Sequence, residues 1–253
     1  MAGPAASSTR GETSTALPQP LPQPLSQPLL EHLRRTAERP TEGTALVARA
    51  QRVARELLDP AGSRWRHTAG VAARALQARA AVPLGQDEVL VAAAWLHDVG
   101  YAPAIARTGF HSLDGALHLR ETGWPESVVG LVAHHSGARF VAEVNGFAEE
   151  LAVFDDPRGW EGPLADALVW ADQTTGPEGH LVCVHARLAE ARDRHGEGSD
   201  LARAHERRAP AVLAAAAATE RRLAGATPWQ GVPAQGGPWQ VAALDPAVFD
   251  VRG

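Results

Sequence analysis

From Val89 to Leu96 the chain is apolar without a break, and His97 and Asp98 follow at once. A helix that is apolar around most of its circumference belongs in the middle of a bundle. Such a helix carries His97 and Asp98 close to the interior. Burying an ionised carboxylate is costly unless something pairs with it. A metal ion is the most economical partner for both side chains. Successive helix residues point about 100° apart, yet two such side chains can reach one ion, or two ions about 3.5–4 Å apart.

The rest of the chain supports an all-α setting. Ala and Leu dominate its 45% apolar fraction and favour helix. Leu46, Val47, Ala50, Val53, Ala54, Leu57 and Leu58 recur at spacings of three and four, which predicts a helix over residues 44–58. Asp59-Pro60-Ala61-Gly62 stops it, and Ser63 is read as the N-cap of a helix over 64–80. Further helices are predicted over 87–99, 112–121, from Pro125 to the His134-His135 pair, over 140–154 with a break near Gly146, over 164–171, over 184–194, and over 201–223 with a kink or split at Pro210. The expectation is an all-α bundle of about eight helices. No glycine-rich phosphate loop is present.

The predicted domain spans 41–224. Before it, residues 1–40 read as a disordered, Pro-rich tail containing LPQPLPQPLSQPL; after it, 225–253 read as an irregular tail with two PWQ repeats. The opening lacks the apolar stretch of a signal peptide, and eight apolar residues cannot span a bilayer. Cytoplasmic location is the expectation. Cys183 is the only cysteine and reads as a plain thiol. All 24 basic residues are Arg, which excludes lysine chemistry, and a net charge of -5 without a basic arm argues against nucleic acid as partner. No membrane partner is expected, and the chain would be a monomer or homodimer.

Several other residues repeat the pattern of a polar ligand type just after an apolar stretch. His67 lies in the preceding helix, His111 before the next, His134 and His135 at a helix end, and Asp172 after Leu168, Val169 and Trp170. A lone histidine at a helix end is ordinarily surface or satisfied core. Here the combination carries the reading, because a bundle builds a pocket from side chains on separate helices. His118 fits no such role, and His32, His180, His185, His195 and His205 are expected on the surface.

Three segments, RWRH at 64–67, AWLHDVGY at 94–101 and ALVWAD at 167–172, resemble the HD-domain superfamily of metal-dependent phosphohydrolases. GFHSLDGA at 109–116 and LVAHHSGA at 131–138 supply the extra histidines of its dinuclear members. The resemblance covers roughly residues 43–223 and implies an HD-like helical bundle. It implies that His67, His97, Asp98 and Asp172 hold a first metal, and that Asp98 bridges to a second held by His111 and His134. His135 is left as a third-metal ligand, a substrate contact or an acid for the leaving group. The sequence after the pair, SGARFVAEV, lacks the Gly-Tyr-Pro element of the cyclic-dinucleotide branch, which weighs against that substrate.

The implied activity is hydrolysis of a phosphate mono- or diester of a nucleotide or other small phosphorylated molecule, by hydroxide activated on two divalent ions. Mn, Fe, Co, Ni or Zn suits a mixed His and carboxylate set better than Mg. Asp98, His135 and Arg66 are the expected catalytic residues, with Arg66, Arg107 or Arg139 available for a second phosphate. The same ligands serve mixed-valence di-iron oxygenases in this superfamily, and a metal-binding regulatory domain is the other alternative.

Overall fold

The computed structural model describes residues 42–156, 161–196 and 198–226. The chain divides into two units, Met1–Arg39 and Pro40–Gly253, and every described residue belongs to the second. The tail expected over 1–40 and nearly all of that expected over 225–253 lie outside the described residues.

The described residues form an all-α bundle. Its helices are α1 Glu42–Leu57, α2 Ser63–Gln77, α3 Asp87–Leu96, α4 His111–Glu121, α5 Glu126–His134, α6 Ala138–Asn145, α7 Ala148–Ala152, α8 Pro163–Gln173, α9 Val184–Asp193 and α10 Asp200–Gly225. Short 3-10 turns follow α2, α3 and α5, at Ala78–Ala81, Val99–Tyr101 and His135–Gly137. No strand occurs among the described residues, only an isolated bridge between Thr175 and Leu181. No described helix is long and apolar enough to cross a membrane.

α3 is the centre. All residues from Leu90 to Leu96 are buried, and the helix packs against α1, α2, α5 and α8. α1 lays Val47, Ala50 and Ala54 against it, at spacings of three and four. Small side chains on both helices allow close approach.

Two local expectations change, at Ser63 and Pro210, and the break expected near Gly146 is found. Ser63 does not cap α2: Asp59 accepts from the Ala61 amide, the Gly62 amide closes a turn on the Asp59 carbonyl, and Gly62 is the N-cap. The segment over 140–154 is two helices, because Gly146 ends α6 in the left-handed region at φ 77°. α10 runs unsplit through Pro210. Both Pro210 and Glu206, the residue whose carbonyl loses its donor, are exposed, so water can satisfy that carbonyl.

Helix ends converge on one place. His67 sits early in α2, His97 caps the C-terminus of α3, and His111 begins α4. His135 follows α5 directly, and Asp172 lies in the last turn of α8.

Candidate metal centre

Backbone carbonyls orient three of the histidines. His67 Nδ1–H donates to the Gly176 carbonyl at 3.1 Å, His97 Nδ1–H to Ala94 at 2.8 Å, and His135 Nδ1–H to Val132 at 2.7 Å. Each bond fixes the ring so that Nε2 faces the centre of the cluster, as metal-ligating histidines require. Two close approaches make this possible. A Cβ on Gly70 would come within 2.7 Å of the Gly179 carbonyl, so glycine there lets the 175–181 loop lie on α2 and present Gly176 to His67. A Cβ on Gly100 would run into the His111 carbonyl, so glycine there brings the start of α4 beside Asp98.

Asp98 turns its two oxygens in different directions. Oδ2 lies 3.5 Å from His97 Nε2 and 3.8 Å from His67 Nε2. Oδ1 lies 3.5 Å from His111 Nε2 and 3.9 Å from His135 Nε2. The two groups, His67-His97-Asp98 and Asp98-His111-His135, each have ligand spacing and share Asp98. This is the arrangement of a binuclear divalent-metal site. Asp172 joins the first group, with Oδ1 3.1 Å from His67 Nε2 and 4.0 Å from His97 Nε2. Its other oxygen is engaged by Ser136 Oγ and Gln173 Nε2.

The donors fit a metal. His97 Nε2 is buried and makes no hydrogen bond, although two carboxylate oxygens lie within 4.0 Å. With Nδ1–H committed to Ala94, Nε2 presents a lone pair to those oxygens. A cation between them removes that mismatch.

The electrostatics agree at His97 and His111 and at the two carboxylates. Burial pushes His97 down to about 4 and His111 down to about 3, which keeps both neutral. Burial works against the charge on Asp98, but His97, Arg64, His111 and His67 outweigh it and hold the carboxyl well below the usual range. Asp172 is likewise held low against burial, first by its hydrogen bond with His67. His67 is raised despite burial, because that same bond favours its charged form.

The structure brings together His67, His97, Asp98, His111 and Asp172, but with His135 in place of His134. α5 ends at His134. His135 leaves the helix with φ -54° and ψ 146° and swings into the cluster, while His134 Nε2 lies 3.1 Å from Asp155 Oδ1. Ser136 at φ 50° and Gly137 at φ 73° complete the turn, a left-handed pair that is strained at Ser136.

Arg66 lies apart from the cluster. It pairs with Glu178 at 2.5 Å and donates to the Ala61 carbonyl, outside the cavity. Arg64 takes the place beside the cluster. Its Nη1 donates to Asp98 Oδ2 at 2.6 Å, and its guanidinium stacks 3.9 Å from the Tyr101 ring centre. Arg64 and His67 share one face of α2, three residues apart, whereas Arg66 is turned away. That spacing was the available signal for Arg64. Arg107 forms a two-pronged pair with exposed Glu121, and Arg139 lines a separate hollow containing His134. His205, expected on the surface, is half-buried and lines the cavity with exposed His195. His180 and His185 are exposed, and His32 lies outside the described residues.

Residues 64–168 match the family model of the HD domain. That span holds every member of the two clusters, and Asp172 lies just beyond it. This part of the chain is therefore similar to the HD domain, and the two clusters it holds fit a metal-binding fold of that kind. Comparison with curated proteins and with solved structures gave no significant match.

Proposed function

We propose that this centre hydrolyses a phosphate mono- or diester of a small molecule, a nucleotide or a related phosphorylated compound. One divalent ion would be held by His67, His97, Asp98 Oδ2 and Asp172, and a second by Asp98 Oδ1, His111 and His135. Bound there, such a pair supplies a water of lowered pKa and a Lewis-acid clamp on phosphoryl oxygens. Mixed imidazole and carboxylate donors suit Mn, Fe, Co, Ni or Zn.

The chain's own residues set up the reaction. The carbonyls of Gly176, Ala94 and Val132 hold the imidazoles at fixed orientation, so little reorganisation is needed. Ser136 and Gln173 hold Asp172 from behind. Arg64 lines the cavity with Tyr101 against its guanidinium, and its planar fork suits a phosphoryl oxygen pair. The substrate enters a cavity of about 290 Å³, which sets a small-molecule scale. No nucleic-acid partner is part of this reading, and the cytoplasm is the compartment it assumes.

The observation that carries the proposal is the division of Asp98's oxygens between two histidine pairs. The test is release of p-nitrophenol from bis-p-nitrophenyl phosphate by protein loaded in turn with Mn, Fe, Co, Ni and Zn, with oxygen uptake recorded in parallel. Hydrolysis that requires metal and consumes no oxygen is expected. Oxygen uptake without phosphate-ester cleavage would sink the proposal.

A further inference from the structure

The cavity has a second wall, formed by α9 and α10, that the reaction just described does not use. Arg208 on α10 is buried, 6% exposed, and lines the cavity. Its Nη1 donates to the Ser136 carbonyl at 2.5 Å and its Nε to His205 Nδ1 at 2.8 Å. Among the described residues no carboxylate pairs with it. Arg187 on α9 also lines the cavity; its Nη1 bonds Glu190 at 2.7 Å, and its Nε is buried without a partner. Arg194 takes the other oxygen of that same Glu190 at 2.5 Å.

One carboxylate therefore serves two guanidiniums, and a third has none. Among the described residues, the only acidic side chains in the cavity lining are Asp98 and Asp172, at the metal end. Burial holds Arg208 below its ordinary value; Asp172 acts against that, and the neighbouring Arg187 adds to it. His205 accepts from Arg208 through Nδ1 and is pushed down to about 4, by burial first and then by Arg208. It stays neutral and offers Nε2–H as a donor.

Buried cations without counter-ions are expensive. The excess of positive charge left on this wall matches a terminal phosphoryl group, which carries nearly two negative charges and three acceptor oxygens. Guanidiniums are the side chains best shaped to take such oxygens in pairs. We propose that Arg208, Arg187 and Arg194 form a second phosphoryl subsite, so that the substrate is a small molecule with two phosphoryl groups, one cleaved and one held. Assigning it to substrate rests on the hydrolase reading above; the anion subsite itself does not.

The test uses the full chain, freed of metal with EDTA and dialysed, titrated calorimetrically with inorganic pyrophosphate. Arg187→Gln/Arg194→Gln is compared with Arg66→Gln/Arg107→Gln, which removes the same charge outside the cavity. Arg208→Gln is the third variant, and circular dichroism checks folding. Pyrophosphate affinity should fall at least tenfold in the α9 pair and in Arg208→Gln, and stay within twofold in the outside pair. Equal affinity in the wild type and the α9 pair overturns the subsite, whatever becomes of Arg208→Gln. In a second arm, metal-loaded protein is assayed on bis-p-nitrophenyl phosphate with pyrophosphate or phosphate as inhibitor. Inhibition at least tenfold stronger by pyrophosphate is expected, and equal inhibition overturns the two-phosphoryl substrate. Absence of turnover with intact pyrophosphate binding would reject the hydrolase reading and leave the subsite standing.

Discussion

Asp98 presents one oxygen to His67 and His97 and the other to His111 and His135. Asp98→Ala should therefore lose both ions and the activity together. Elemental analysis of the purified variant checks this, and full metal content with an unchanged rate would refute the shared-ligand scheme. Cys183→Ser, at an exposed thiol outside the cavity, should change neither. His135→Ala and His134→Ala separate the two members of the pair. The first should lower metal content and rate by at least tenfold. The second removes a contact with Asp155 and should leave metal content intact. The reverse result would restore His134 as the ligand. At this scale the sequence showed which residue types lie near one another, because His67, His97, Asp98 and Asp172 each follow or interrupt an apolar helix. It could not show which histidine of the pair turns inward. That choice depends on one helix ending at His134 and on a left-handed Ser136, and no residue type demands a positive φ there. Arg64 and Arg66 pose the same problem: about 200° of helix rotation separates them, and only packing decides which faces the cavity.

The elements were legible where periodicity is strong. α1 and α3 follow from spacing and from an unbroken apolar run, since those patterns have one low-energy way to be buried. The 3-10 turns after α2, α3 and α5 were not legible, because they arise where packing forces the chain to tighten. The turn Val99–Tyr101 matters most, since Gly100 lies there against the start of α4. A Cβ at that position meets the His111 backbone and comes within 2.7 Å of Gly115 N, so no flexible side chain can give way. Gly100→Ala should displace α4 and with it His111. We expect a loss of about 1–3 kcal/mol in urea unfolding, together with weakened binding at the second cluster ahead of the first. A variant with the wild-type urea midpoint and full metal content would show that the contact is not restrictive. The cap of α10 is a milder case: Ser199 accepts from the Ala202 amide at 3.0 Å, and Ser199→Ala should cost about 1 kcal/mol.

At the scale of the whole molecule, the bundle is built around a charged interior. α2, α3 and α8 each bring a buried ligand type to the same point, and His97 Nε2 has no hydrogen-bond partner there. A fold that gathers lone pairs and carboxylates in its centre is stabilised by whatever cation satisfies them. The native state offers these ligands preorganised, whereas the unfolded chain disperses them, so binding and folding are linked. At a free metal concentration about 100 times the dissociation constant, linkage contributes about 2.7 kcal/mol. For a domain of this size that corresponds to a rise in Tm on the order of 5–10 °C. Differential scanning calorimetry of EDTA-treated protein, before and after adding back Mn or Zn, should show this rise. Asp98→Ala should lack it, because neither cluster survives the loss of the shared carboxylate. A metal-independent Tm in the wild type would mean that the charged interior is balanced by the protein alone, through Arg64 on Asp98 and His67 on Asp172. Those two contacts are what a bound ion must compete with, so Arg64→Gln should steepen the Tm response to metal if Arg64 neutralises Asp98 when metal is withheld.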